Sequence, residues 1–292
     1  MWIGLFVLLG GAVAARNLLG LATVPPGSYV DESSVAYNAW SVAHYGVDEH
    51  GVHLPLYFEA FGEYKNPLYI YALVPLARLL PLSPALERTP AALFGLAVVI
   101  FLTLAAWRMT RSKPITAFVL ALAALTPWVV QESRVGFEVI SMVATLSVAV
   151  WCLAGGENTP PRRFAVCGLF LALSIFAYST GRLEVLLLAI AFTLAYARST
   201  PRGWWRVIAV VAAGYVVLGV WALLHPGALT AEFSVISIAA DGAPLPTVLL
   251  RFVSNYAGYF SPEFLFVHGD PNLRHNTGYA GMLLAVMGPL LL

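Results

Sequence analysis

Nine stretches with few or no charges, near 3–22, 67–82, 89–107, 115–130, 139–155, 164–180, 185–197, 207–224 and 278–292, limit what this chain can become. Most approach the ~20 apolar residues that an α-helix needs to cross a bilayer core. A water-soluble core does not absorb so many. Hydrophobic residues make up 60% of the chain and charged ones 11%, against about 25% charged in soluble domains. The pattern predicts an all-α polytopic membrane protein with the lipid bilayer as its surroundings. A net charge of +1 without a clustered basic face gives no case for nucleic acid as a partner. Cys152 and Cys167 lie in or beside apolar runs, where small buried side chains are expected rather than a disulfide.

Nine runs need not be nine spans. In 67–82 the charge-free part ends at Ala77, Pro75 interrupts it, and Arg78 follows; a charge near the bilayer centre costs a few kcal/mol. If that run lies along the interface and the amino terminus is cytoplasmic, three basic loops fall on one side. They hold Arg108, Arg111 and Lys113, then Arg162 and Arg163, then Arg198, Arg202 and Arg206: eight of sixteen cations, with only Glu157 among fifteen acids. The positive-inside bias makes that side cytoplasmic. The expected organisation is a seven-span module over 1–224 including an outer loop at 23–88, a second outer loop at 225–277, and the start of an eighth span at 278–292. That last run ends at Leu292 without a polar flank, so the chain is expected to continue beyond it. Ala12-Val13-Ala14 has the small residues of a signal-peptidase site. No Lys or Arg precedes the apolar stretch, which runs on to Ala22, so a retained signal anchor is expected.

The chemistry gathers in 23–66, where Asp31, Glu32, Asp48, Glu49, Glu59 and Glu63 face one cation, Lys65. Residues 31–45 suit an amphipathic helix with Asp31 in the N-cap position and Gly46 as its stop. Asn66-Pro67 reads as an N-cap followed by proline at the first helical position, opening a second interfacial helix over 67–82.

The first span followed by PPGSYVDE, then YGVDEHGVHLPLYF, FGEYKNPLYIYALVP and LERTPAALFG, resembles the amino-terminal module of the C-type membrane glycosyltransferases. The nearest likeness is to family 39-like enzymes: bacterial relatives of protein O-mannosyltransferases and of the aminoarabinose transferases that modify lipid A. ESRVGFE (132–138), AYSTGRLEV (177–185) and YFSPEFLFVHGDPNLRHNTGYAG (259–281) extend the resemblance over nearly the whole chain. Members share seven spans with two interfacial helices in the first outer loop. The resemblance implies transfer, with inversion, of a sugar from a polyprenyl-phosphate donor to an acceptor at the extracytoplasmic face of the cell membrane. The acceptor, whether protein, lipid or glycan, is not identified. It further implies Asp31 as general base and Glu32 as a supporting carboxylate, with Lys65, Arg134, Glu138, Tyr178 and Arg182 in substrate binding. Asn66 stands between Lys65 and Pro67, a departure from the family's lysine-proline motif.

The chemistry is consistent with these residue types. A carboxylate takes the proton of the attacking hydroxyl, and Lys or Arg meets the charge growing on the departing phosphate. Plainer readings stand beside these. Asp31 as a cap and Glu32 facing water are the ordinary alternatives for the pair. Arg16 is balanced between a donor contact and an arginine snorkelling to the headgroups. Arg134 and Glu138, four apart, suit a local salt bridge on a helix. Asp48 is either a turn residue or part of the acceptor site. Glu263, His268, Asp270 and His275 do not have standard zinc spacing and read as loop structure. No particular cofactor is implied, and a divalent cation is left open. Two other classes fit a chain of this kind: a transporter of a lipid-linked substrate and a non-catalytic envelope-assembly scaffold.

Overall fold

A computed structural model describes residues 2–156, 159–196, 199, 201–231, 237–239 and 241–290. Glu157, Arg198 and Leu292, which entered the charge and length arguments, lie outside the described residues. The chain is mostly helical: α1 (Trp2–Leu18), α2 (Val30–Tyr45), α3 (Pro67–Leu79), α4 (Pro84–Thr110), α5 (Lys113–Leu125), α6 (Pro127–Glu132), α7 (Val139–Leu153), α8 (Pro161–Ile175), α9 (Gly181–Tyr196), α10 (Trp205–Leu224) and α11 (Leu245–Tyr259). Two of them, α4 and α10, are long and apolar enough to cross a membrane, and α1, α3, α5 and α7 are shorter apolar helices.

The all-α expectation needs one correction, an antiparallel hairpin of β1 (Phe58–Ala60) and β2 (Glu63–Lys65). Its two-residue loop, Phe61-Gly62, has φ of 57° and 80°, the pair of positive values that a type I′ turn requires. The register sets Phe58 opposite Lys65. Cross-strand partners share a face, so the lysine follows the fully buried Phe58 inward and is itself buried.

Helix ends follow local chemistry with one exception. Asn66 is the N-cap of α3 with Pro67 at N1, and Gly46 ends α2 in the left-handed conformation. Asp31, however, does not cap α2. Tyr29 holds that position, and the Glu32 carboxylate reaches back to accept from its N–H at 2.9 Å.

Packing centres on α4, which lies against α5 and α7, while α8 sits between α7 and α10, and α2 rests on α3. One apolar core gathers Val35, Phe58, Tyr69, Leu73 and Val98; another gathers Cys152, Phe164, Cys167, Leu171 and Val211. Both cysteines are free and buried. Helices α8 and α10 close tightly at Gly168, where a Cβ would lie 3.0 Å from the Val207 Cα. The exterior is also apolar: Ile3, Val7, Leu187, Leu194, Val216 and Leu223 are among many exposed large hydrophobics on α1, α9 and α10.

The eighth span expected at 278–292 is not formed among the described residues. A 3₁₀ helix, Ala285–Leu290, is the regular structure there. Gly281 and Gly288-Pro289 weaken helix propagation, and the backbone bonds elsewhere: Met282 and Leu283 donate to Phe264 and Leu265, and Met282 accepts from Trp128. The loop expected at 225–277 contains α11 and a π-helical turn, Glu263–Val267.

Candidate active site

Five segments distant in sequence meet around a cavity of about 270 Å³, lined by residues that include Asp31, Lys65, Asn66, Glu138, Tyr178 and Arg274. The first is the start of α2, held by a buried hub. Glu32, fully buried, accepts from the Arg88 Nε at 2.8 Å and Nη2 at 3.0 Å and from the Gly136 N–H at 2.7 Å. Arg88, also fully buried, donates to the carbonyls of Leu21 and Pro25 at 2.9 and 2.8 Å and to that of Gly27. One ion pair thus ties the 21–27 connection, α2, α4 and the 133–138 segment together. A Cβ at Gly136 would fall 2.9 Å from the Glu87 carbonyl oxygen and 3.3 Å from the Glu32 Cγ. Only glycine lets that segment approach and deliver Phe137 and Glu138 to the cavity.

With Glu32 so engaged, Asp31 is left facing the cavity with 30% of its side chain exposed. Its Oδ1 accepts from the Lys65 Nζ at 2.8 Å, and its Oδ2 lies 3.4 Å from Arg274. The lysine stands 3.6 Å from Glu63 and over the Phe61 ring at 5.3 Å. Burial alone would lower the Lys65 ammonium, but its bond to Asp31 and the charges of Asp31, Glu138 and Glu63 outweigh burial and raise it. Lys65 is a fixed cation beside a carboxylate.

Asn66 is more than an N-cap. Its backbone N–H and side-chain amide donate to the two Glu138 oxygens, each at 2.8 Å, while its Oδ1 accepts from Arg182 at 3.2 Å. The residue that departs from the lysine-proline motif therefore joins Glu138 to Arg182. Burial pushes the Glu138 carboxyl up to about 7, against the lowering effects of the Asn66 bonds and the Lys65 charge. Arg182 stacks 5.3 Å over Tyr57 and reaches the cavity wall through Asn66.

The fifth segment carries Arg274 and His275. The Gln131 side chain donates to the Arg274 carbonyl at 3.2 Å, and His275 Nδ1 lies 3.3 Å from the buried Glu132. Burial raises the Glu132 carboxyl, and the bond to Glu132 raises the His275 imidazole. Asn276 is buried and donates to the carbonyls of His268 and Asp270, fixing the loop's curl.

Of the residues singled out in the sequence, Asp31, Lys65, Glu138 and Tyr178 line the cavity and Arg182 stands behind it. Four have other surroundings. Glu32 is a structural hub with no exposed surface, not a second carboxylate of the cavity. Arg134 makes no i, i+4 bridge with Glu138, because 133–138 is not helical. It donates instead to the carbonyls of Arg16, Leu19 and Val24, closing the end of α1. Arg16 bonds Asn17 and the Ala124 carbonyl. Asp48 is a turn residue, accepting from the N–H groups of His50 and Val52 at 2.9 and 2.8 Å. The Glu263, His268, Asp270 and His275 quartet forms no metal cluster among the described residues. Sequence reasoning missed Arg88 and Arg274. Arg274 carried a signal, being a cation in a loop assigned to the outer side, where cations are disfavoured.

No protein-family model matches the chain, and no curated protein or solved structure does so either.

Proposed function

We propose that this chain is a seven-span membrane glycosyltransferase that moves a sugar from a polyprenyl-phosphate donor to an acceptor at the outer face of the membrane. The observation that carries the reading is the Asp31–Lys65–Arg274 cluster: a partly open carboxylate flanked by two cations at a cavity mouth. An acceptor oxygen attacks the anomeric carbon as the bond from that carbon to the phosphate oxygen breaks. Asp31 takes the acceptor's proton, and the electron pair leaves with the lipid phosphate. Lys65 and Arg274 meet the charge that grows there. Glu138 is the less available base, since both its oxygens accept from Asn66 at 2.8 Å. Its role is to fix Asn66, and through it Arg182 and the start of α3.

The membrane setting is supported by the apolar exterior and by the cavity's place. It opens where α7 begins, whereas the basic loops join the far ends of α4, α7 and α9.

The test is to offer the purified protein a panel of polyprenyl-phosphate sugars and follow donor consumption and glycosylated product by mass spectrometry. Asp31→Asn keeps side-chain size but removes the base. With one active donor, its turnover is expected to fall by about 10²–10⁴-fold while donor binding persists. Near-normal turnover at saturating substrates removes Asp31 as the base.

A further inference from the structure

At the other end of α7 lies a second cavity, of about 370 Å³, lined by Arg108, Arg111, Arg163, Trp107, Trp151 and Leu104 among others. It is a separate place. Val139 lines the first cavity and Trp151 the second, and the twelve helical steps from one to the other rise about 18 Å.

Three arginines line this space, and no carboxylate does so among the described residues, which leave out Glu157. Arg163 lies 5.0 Å from the Trp151 ring centroid and Arg111 5.8 Å from that of Trp107. Stacking of this kind holds a guanidinium by its face and leaves its N–H edge for an acceptor. The Arg108 Nη1 makes one long bond, 3.5 Å, to the Trp151 carbonyl. Gly155 makes room for that side chain, since a Cβ there would meet the Arg108 Nη2 at 2.2 Å.

Helix electrostatics account for only part of the cluster. Arg108 is in the last turn of α4, where a cation is favourable. Arg163 is in the first turn of α8, where the macrodipole disfavours a cation. The macrodipole therefore does not explain Arg163, and among the described residues no ion pair forms with any of the three arginines.

The geometry points to a binding site for the phosphodiester headgroup of an anionic phospholipid. The three arginines clasp the phosphate, the two tryptophans sit at headgroup depth, and Leu104 starts the apolar wall for the acyl chains. The inference rests on the membrane setting proposed above. In that setting this end is cytoplasmic, where anionic lipids concentrate and each nearby cation is worth roughly a fivefold gain in association.

Native mass spectrometry and thermal melts of the full protein, delipidated and then offered phosphatidylglycerol, phosphatidylcholine or inorganic phosphate, test it. The wild-type protein is expected to retain phosphatidylglycerol at least about tenfold better than phosphatidylcholine and to melt later with it. Inorganic phosphate at millimolar concentration should neither stabilise it nor displace the lipid. R108Q/R111Q/R163Q should lose the preference, whereas R202Q/R206Q, which removes two cations of a neighbouring basic loop outside the cavity, should keep it. Equal retention of both lipids by the wild type overturns the proposal without any variant. So does an unchanged preference in the triple variant, or full competition by inorganic phosphate, which would mark a free-anion site. Release of the protein from membranes by alkaline carbonate would instead defeat the membrane setting itself.

Discussion

At the residue scale, the site separates adjacent carboxylates by burial. Asp31 faces the cavity, while Glu32 is enclosed with Arg88. Removing one member of a buried ion pair leaves the other uncompensated, at a cost of about 3–5 kcal/mol. Glu32→Gln and Arg88→Met are therefore expected to lower the melting temperature sharply, with activity lost through unfolding; Asp31→Asn should melt close to the wild type. A Glu32→Gln protein with wild-type stability would return Glu32 to the list of catalytic groups. Arg274→Ala and Lys65→Ala should each weaken donor use in titration kinetics, because each would lose the charge-assisted contact to phosphate proposed for it, and Arg78→Ala on α3 should leave it unchanged. Glu138 makes a prediction in pH. Its carboxyl, raised to about 7 from an ordinary ~4.3, holds a proton in the folded state that the unfolded chain has already released. Its contribution to stability is full below the unfolded value and is lost as pH rises through 7. Glu138→Gln should flatten that decline, so thermal melts at pH 5 and pH 8 should differ less in the variant than in the wild type. An equal difference in both proteins would show that Glu138 ionises normally.

At the element scale, Gly168 is the place where α8 and α10 come closest. Gly168→Leu drives a branched side chain toward the Val207 backbone, 3.0 Å from where a Cβ alone would lie. Overpacking of that order costs typically ~1–3 kcal/mol, and a melt should show it; no loss would mean that the two helices slide apart freely. Elements were legible in the sequence where their signals are local. Although the Asn66 side chain makes no capping bond, Asn66-Pro67 marks the start of α3 because the proline at N1 is set for the first helical turn. Gly46 likewise ends α2. The Asp31 cap was misplaced because Glu32, three residues after Tyr29, reaches back to that residue's N–H. The run at 278–292 imitates a span in composition, yet among the described residues its glycines, Pro289 and bonds to 264–265 turn 278–290 into a docked segment. Helix α11 escaped notice because its apolar residues are interrupted by Arg251 and Asn255 within only fifteen positions. The site was legible as residue types but not as partners: Arg274 is far along the chain from Asp31, and His275 lies 143 residues from Glu132. Nothing local encodes either approach.

At the scale of the whole molecule, the two cavities give the proposed topology its sharpest consequence. Acids and paired cations gather where α2, α3 and α7 begin; arginines with no ion pair among the described residues gather where α4 and α7 end and α8 begins. A bilayer between them would place Lys113, Arg163 and Arg202 on the cytoplasmic side and His50, Asp270 and Tyr279 outside, in keeping with the positive-inside bias. Single cysteines at these positions, in a background with Cys152 and Cys167 replaced by alanine, can be probed in intact cells with an impermeant maleimide. His50 and Tyr279 are exposed, so weak labelling there would not arise from burial. Residues 50, 270 and 279 should react directly, and 113, 163 and 202 only after the membrane is opened. The decisive comparison is between 50 and 113. Helix α3 lies between those positions, and it carries Pro75 and Arg78 within its 13 residues, where a charge near the bilayer centre costs a few kcal/mol. It should therefore lie along the interface and leave α4 as the crossing that separates them. Labelling of both positions from outside would make α3 a crossing too and move the arginine cavity to the same side as Asp31.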